Sequence, residues 1–100
     1  YNMLVHTVYF WLKNELSQTD KDSFKVGLNT LKGISQSKAT YIGTPSTTDR
    51  PVIDTSYDYG LTVIFENMAD HDDYQVDPIH KAFLDCHMDK WKKVVIYDAD

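Results

Sequence analysis

The chain has 100 residues, of which 42% are hydrophobic and 13% aromatic, and its formal net charge is −5. This length and apolar content predict one globular domain with its own core rather than a disordered segment. Arg50 is the only arginine and the lysines form no basic stripe, so we expect no nucleic-acid or anionic membrane partner. Cys86 is the only cysteine, which excludes a disulfide framework and a Cys-x-x-Cys motif and is typical of a reducing cytosol.

The first predicted element is a strand over residues 3–12, MLVHTVYFWL, which is apolar or aromatic apart from His6 and Thr7. This run is too short to span a bilayer, and it lacks the basic segment and small-residue cleavage site of a signal peptide. Together with the single cysteine, these features predict a cytoplasmic protein without membrane contact.

A helix is predicted next, because Ser17 and Thr19 are each followed three residues later by an aspartate, Asp20 and Asp22, the sequence form of a capped N-terminus. One apolar face then recurs at helical spacing, formed by Phe24, Gly27, Leu28, Leu31 and Ile34. A second strand is predicted over roughly residues 38–44. The stretch that follows, TPSTTDRPVIDTS, is long for a hairpin connection and is a candidate lid or rim for a site.

The third predicted strand, YDYGLTVIFE, has the clearest alternation of the chain. A short helix is predicted over residues 69–75. Asp77 followed by Pro78 then indicates a helix restart, with aspartate as the N-cap and proline at the first helical position. This helix is expected to run to about residue 90 with Ile79, Phe83 and Cys86 facing inward, before a last strand over residues 93–98.

The order β-α-β-β-α-β predicts an α+β, ferredoxin-like domain over residues 3–98, in which both helices cover one face of a four-stranded antiparallel sheet. The first strand is apolar on both of its faces, however, and two helices can cover only one of them. Tyr9 and Trp11 would form a large exposed patch on the other face. We therefore expect a homodimer through the open sheet face.

Four stretches of the chain resemble the stress-responsive A/B barrel domain family: LVHTVYFWL, YDYGLTVIFEN, DDYQVDPIH and VVIYD. The most specific of them contains Tyr-x-x-x-Pro-x-His, from Tyr74 to His80, and the resemblance covers about residues 4–98. It implies a ferredoxin-like dimer whose two sheets pack face to face as an α+β barrel. Val5, Tyr9 and Trp11 would then lie in the dimer interface.

The family includes a plant polyketide cyclase that performs an intramolecular aldol condensation without a metal. The resemblance implies a pocket between sheet and helices, with Tyr74 and His80 as the catalytic pair and no cofactor. Pocket or supporting positions of the cyclase match His6, Phe24, Trp91 and Asp98. Two positions depart from it, since Asp77 and Tyr59 stand where the cyclase has histidines, and Tyr59 is kept as a ligand-binding candidate.

His80 is expected at the third position of its helix, where the helix dipole disfavours a cationic imidazole. A neutral ring near pH 7 is what a general base requires. Asp98, at the end of the last strand, is expected to accept a hydrogen bond from the other ring nitrogen and to orient the ring. The Tyr74 hydroxyl is expected to donate to a substrate carbonyl as an enolate forms. His6 would add a polar contact in the pocket.

No metal site is predicted. His71 stands beside Asp70, Asp72 and Asp73, but a run of acids at a helix start ordinarily balances the helix dipole, and no His-x-x-x-His or Glu-x-x-x-His pair supports them. No Gly-x-Ser-x-Gly nucleophile motif or phosphate-binding glycine loop is present either.

Two functions fit these residues. In the first, His80 removes a proton from a small apolar carbonyl compound while Tyr74 polarises the carbonyl, in cyclase, isomerase or lyase chemistry. In the second, the same residues are polar groups of a non-catalytic small-molecule-binding protein or a structural dimeric stress protein. A cavity that touches both Tyr74 and His80 would favour ligand chemistry, whereas an interior filled by side chains would favour a structural role.

Overall fold

The computed structural model describes residues 3–100 as one four-stranded antiparallel sheet with helices packed on one side. The strands are β1 (Leu4–Leu12), β2 (Ala39–Gly43), β3 (Tyr59–Phe65) and β4 (Trp91–Ala99), in the spatial order β2-β3-β1-β4. The helices are α1 (Gln18–Thr30), α2 (Met68–Val76) and α3 (Pro78–His87), and short 3₁₀ turns follow α1 and α3. The predicted α+β, ferredoxin-like fold class is confirmed.

The helix starts follow the capping signals of the sequence. Ser17 is the N-cap of α1, and its hydroxyl accepts a hydrogen bond from the backbone N–H of Asp20 at 3.1 Å. Asp77 caps α3 in the same way, accepting from the N–H of Ile79 at 2.8 Å, with Pro78 in the first turn. Each such cap stabilises its helix by about 1 kcal/mol, so the start of α3, and with it the position of His80, is set locally.

Strand β1 lies in the middle of the sheet, and its two faces differ. Alternate residues from Leu4 to Leu12 are buried beneath the helices, and this set includes His6. On the opposite face, Tyr9 and Trp11 are only half-buried. The pattern agrees with the period of two expected of a strand that has one covered face and one open face.

The inner face of α3 differs from the predicted one. The structure buries Phe83 and His87, whereas Cys86 is exposed and Ile79 is 36% exposed. Positions i and i+4 lie one above the other on a helix, so the buried stripe of α3 runs from Phe83 to His87, and Cys86 lies outside this stripe. The α-helix also ends at His87, and the next three residues form a 3₁₀ turn.

The long connection between β2 and β3 contacts the open face of the sheet. The Tyr57 ring packs against Tyr9 at a centroid distance of 4.8 Å, and the Trp11 indole N–H donates to the Ser56 hydroxyl at 3.0 Å. A lid or rim formed by this stretch therefore belongs to the open face and not to the space between sheet and helices. Within residues 3–100, no helix combines the length and the apolar character needed to cross a membrane.

Candidate active site

A cavity of about 170 Å³ lies between the covered face of the sheet and helices α2 and α3. Its polar lining consists of His6, Tyr74, Gln75 and His80, and the rest is apolar or aromatic: Val8, Phe10, Leu31, Leu61, Phe83, Leu84, Trp91, Val94 and Ile96. Val94 and Ile96 are 38% and 52% exposed. Because both belong to β4, the edge strand next to β1, the cavity opens at that edge.

Tyr74 is 1% exposed and is held on α2 between the rings of Phe65 and His80, whose centroids lie 5.0 Å and 5.1 Å from its own. Its buried hydroxyl has no hydrogen-bond partner among residues 3–100. Burial, and secondarily the Asp77 carboxylate, raises the pKa of Tyr74 well above its ordinary value. The phenol therefore stays protonated at neutral pH and is available as a hydrogen-bond donor.

His80 occupies the first turn of α3 and is half-buried. Its Nδ1 atom is buried and has no partner among the described residues. Burial lowers the pKa of His80, and the neighbouring His6 lowers it further. Hydrogen bonding to the Gln75 backbone and the negative charge of Asp77 raise the pKa by a smaller amount. The direction agrees with the predicted neutral ring, but desolvation, and not the helix dipole, is the main cause.

The predicted pairing of Asp98 with His80 is wrong, because the Asp98 carboxylate contacts His6. Its Oδ1 lies 2.5 Å from His6 Nδ1. The two residues are direct cross-strand partners in the β1–β4 ladder, and residues opposite each other in an antiparallel pair share a face of the sheet. Asp98 thus fixes the orientation of His6, and among residues 3–100 no carboxylate is hydrogen-bonded to the His80 ring.

Not all of the predicted ligand-binding residues reach the cavity. Trp91 and His6 line it, whereas Phe24 and Tyr59 do not. Phe24 is fully buried and packs against Tyr59 at 5.6 Å and against Trp91 at 6.2 Å, measured between ring centroids. Phe24 therefore lies behind the cavity wall, where it supports Trp91, and Tyr59 packs against Phe24 without lining the cavity.

Two polar residues of α2 near this site were missed as site residues. Gln75 lines the cavity, and the His71 ring lies 5.2 Å from that of His6. His71 and Tyr74 are three residues apart, so they share a helix face. The sequence contains this three-residue spacing, but the acidic residues on either side of His71 are typical of a polar helix start and gave no indication of a site residue. The structure places ligand atoms of His6, His71 and Asp98 within 4.8 Å of one another.

The cavity wall carries no formal charge apart from any proton on its histidines. No lysine, arginine, aspartate or glutamate is among the residues that line it. A charged ligand buried here would have no counter-ion, which is strongly unfavourable. The site therefore suits an uncharged molecule with an apolar body and one or two polar atoms at the His6, Tyr74 and His80 end.

A family model described as the stress responsive A/B barrel domain matches residues 4–100. The chain belongs to this family. Among curated proteins of known function, it is 28% identical over 94 residues to olivetolic acid cyclase from Cannabis sativa, which covers 93% of this chain and 91% of the cyclase. Membership of the A/B barrel family, inferred from the sequence by resemblance, is thereby confirmed.

Two solved structures show the same fold. A dimeric ferredoxin-like protein of unknown function from Thermobifida fusca YX superposes with a TM-score of 0.79 at 17% identity, over 99% of this chain and 93% of that one. Hydroxynitrile lyase from Passiflora edulis superposes with a TM-score of 0.79 at 21% identity, over 98% of this chain and 92% of the lyase. The fold of this chain is thus found both in an enzyme and in a protein of unknown function.

Proposed function

We propose that this A/B barrel protein catalyses proton-transfer chemistry on a small uncharged carbonyl compound bound in the cavity. One observation carries the proposal. Tyr74 and His80 line the same cavity, and each has a buried polar atom with no partner among residues 3–100. Buried polar groups without partners destabilise a fold by about 1–3 kcal/mol each, so two of them side by side are best explained by a ligand that completes their hydrogen bonds.

His80 is the general base. Its depressed pKa keeps the ring neutral near pH 7, and when Nε2 carries the proton of the neutral ring, Nδ1 offers a lone pair. Nδ1 takes a proton from the carbon next to the substrate carbonyl, and the electron pair of the broken C–H bond moves onto the carbonyl oxygen as an enolate. Such a positioned base contributes about 10²–10⁴-fold to a rate.

Tyr74 is the donor that stabilises the enolate oxygen. Its raised pKa excludes it as a base at neutral pH, and its hydroxyl is free to donate. A pair of titratable groups whose pKa values are shifted in opposite directions is a common basis for dividing acid and base roles. The resulting enolate can attack a second carbonyl in an aldol cyclisation, return the proton at another carbon in an isomerisation, or expel a leaving group in a lyase reaction.

The size of the cavity limits the substrate. A cavity of about 170 Å³ is close to the ~150 Å³ that holds a benzene-sized molecule. The lining favours a compound with a single apolar ring or a short chain and excludes a carboxylate or phosphate in the interior. A larger substrate would have to extend out of the opening at β4, past Val94 and Ile96.

Deuterium exchange tests the proposal without knowledge of the natural substrate. The protein is incubated with cyclohexanone or acetophenone in D₂O, and incorporation of deuterium next to the carbonyl is followed by NMR. We expect wild-type protein to accelerate exchange and Tyr74→Phe to lose about 10²–10³-fold of that acceleration, as when one oxyanion donor is removed.

The matched control for Tyr74→Phe is Tyr41→Phe, which removes an equivalent hydroxyl from an exposed tyrosine on β2. It should exchange like wild type. If the two ketones bind in the cavity, as seen by chemical-shift changes at Trp91, yet are not exchanged faster than in buffer, the catalytic proposal fails and a non-catalytic small-molecule-binding protein remains.

We also propose that the protein is a homodimer through the open sheet face. That face carries a groove lined by Tyr9, Trp11, Tyr57, Val95, Tyr97 and Asp54. Tyr97 is 64% exposed and Tyr41, on the same face, is 63% exposed. An aromatic face of this kind is typical of a protein interface, and the related Thermobifida protein is dimeric.

Light scattering tests the dimer. Trp11→Glu places a charge in the groove, and we expect it to convert a dimer into a monomer. Val26→Glu is the matched control, because Val26 is 65% exposed on α1, on the helical side of the sheet, and it should stay dimeric. A wild-type monomer at high concentration would overturn the proposal, and an unchanged Trp11→Glu dimer would exclude this face.

A further inference from the structure

The side chains of His6, His71 and Asp98 converge where β1, β4 and α2 meet. One ligand atom from each lies within 4.8 Å of the other two. His6 is a cavity residue with a side chain 6% exposed, whereas the Asp98 side chain is 41% exposed. The cluster therefore extends from the cavity wall to the surface, which leaves a route by which an ion can enter.

We propose that His6, His71 and Asp98 form a binding site for a divalent transition metal of the zinc type. Two imidazoles and one carboxylate are a common ligand set for zinc, iron(II) and cobalt(II), and three protein ligands leave a coordination position open to water or a ligand. In the metal-free chain, a hydrogen bond joins His6 Nδ1 and Asp98 Oδ1, and the ion takes its place.

The surroundings of His71 support a ligand role for it. Its side chain is 15% exposed, and its Nδ1 lies 3.2 Å from the Asp72 carboxylate. A metal-bound histidine typically donates its other ring N–H to a carboxylate, which fixes the tautomer and orients the ring. With Nδ1 held by Asp72, Nε2 of His71 is the nitrogen that faces an ion, which would replace its 3.4 Å contact with the Gln75 side-chain amide.

The spacing of the cluster is compatible with an ion. Donor atoms around one zinc ion lie roughly 3–3.5 Å apart, given metal–ligand distances of about 2.0–2.2 Å. The three donor atoms are within 4.8 Å already, so small side-chain rotations close the site. Metal binding at this position does not depend on turnover of any substrate, so it can be tested separately from the proposed catalytic role of Tyr74 and His80, even though His6 lines the same cavity.

Cobalt titration tests the site. Protein freed of metal with a chelator is titrated with Co²⁺, whose visible absorption reports its ligands, and Zn²⁺ is then added in competition and measured by calorimetry. We expect one ion per chain. His71→Ala should weaken binding by at least about 100-fold and Asp72→Asn by roughly tenfold, because loss of an outer-shell partner of a ligand weakens affinity about 10–100-fold.

Asp73→Asn is the matched control, since Asp73 is an exposed carboxylate beside Asp72 that takes no part in the cluster. It should bind the ion like wild type. Asp98→Asn adds a second ligand variant, and its amide can still hydrogen-bond His6 and so preserve the fold. The proposal is overturned if no saturable binding is seen, or if folded His71→Ala binds the ion as wild type does.

Discussion

The two histidines of α3 lie at its opposite ends and have different surroundings. His80 has a buried ring nitrogen without a partner among residues 3–100 and faces the cavity. His87 is 7% exposed, and its Nδ1 lies 2.9 Å from the Lys90 ammonium. Burial lowers the pKa of both. The direction of the pKa shift therefore does not distinguish a candidate base from a packing residue. The two histidines differ instead in their hydrogen-bond partners and in their contact with the cavity.

The ring of His87 fills space that the sequence of α1 provides. Gly27 faces it so closely that an added Cβ would lie 2.3 Å from His87 Nε2. The ring also packs edge-on against Phe24 at 5.8 Å between centroids. Such complementarity is typical of a core contact. A histidine held in this way contributes to stability, and it is not among the residues that line the cavity.

The largest expected difference between the two histidines concerns catalysis. His80→Gln should reduce the rate of ketone deuterium exchange by about 10²–10⁴-fold, because it removes the base and keeps a side chain of similar size. His87→Gln should exchange at the wild-type rate at a temperature where it is folded, and should instead lower the melting temperature. The exchange rate is measured by NMR and the melting temperature by circular dichroism, on the same protein preparations.

Equal loss of exchange in folded His80→Gln and His87→Gln would contradict the distinction. Full activity in His80→Gln would contradict it as well, because the base would then have to be another group, such as the His6 ring that Asp98 orients.

A smaller effect, on stability, is expected from Gly27→Ala. In the wild-type background the new methyl group overlaps the His87 ring, and overpacking of this kind lowers the free energy of unfolding by about 1–3 kcal/mol. In a His87→Ala background the overlap is gone, and Gly27→Ala should become stabilising by roughly 0.5–1 kcal/mol, the ordinary preference of a helix interior for alanine. Urea denaturation of the four proteins of this cycle gives the coupling, and additive effects would refute the packing role of His87.

The smallest effect is a pH dependence of stability shared by both histidines. Unfolded histidine has a pKa of about 6.5, and both folded pKa values are lowered, so the unfolded chain binds more protons below that pH. The free energy of unfolding should decrease as pH falls from about 6.5 and should level off for these groups below their folded pKa values.

Urea denaturation between about pH 7.5 and 5, with a chelator present, checks this pH dependence. His80→Gln and His87→Gln should each make the free energy of unfolding less dependent on pH, because each removes one group that binds protons more readily in the unfolded chain. A wild-type stability that does not change across this range would contradict the expectation, and so would a slope that survives in the double variant.

Much of the molecule was determined by local sequence. The cap at Ser17, the restart at Asp77 and Pro78, and the alternation along β1 each depend on residues within a few positions of one another. Such short-range signals define strands and helices before any tertiary contact exists. They also place Tyr74 on α2 and His80 in the first turn of α3, whereas the hypothesis that the two act as a pair came from the resemblance to the A/B barrel family.

Only the tertiary structure decided what surrounds that pair. Asp98 and His6 are 92 residues apart in the chain, and their contact follows from the β1–β4 register, which no local pattern specifies. The same holds for Phe24 and Tyr59, which pack behind the cavity wall, and for His71, which meets His6 across the helix–sheet contact. Residue type and spacing indicated which groups are candidates for chemistry, and the packing of distant elements decided which of them meet.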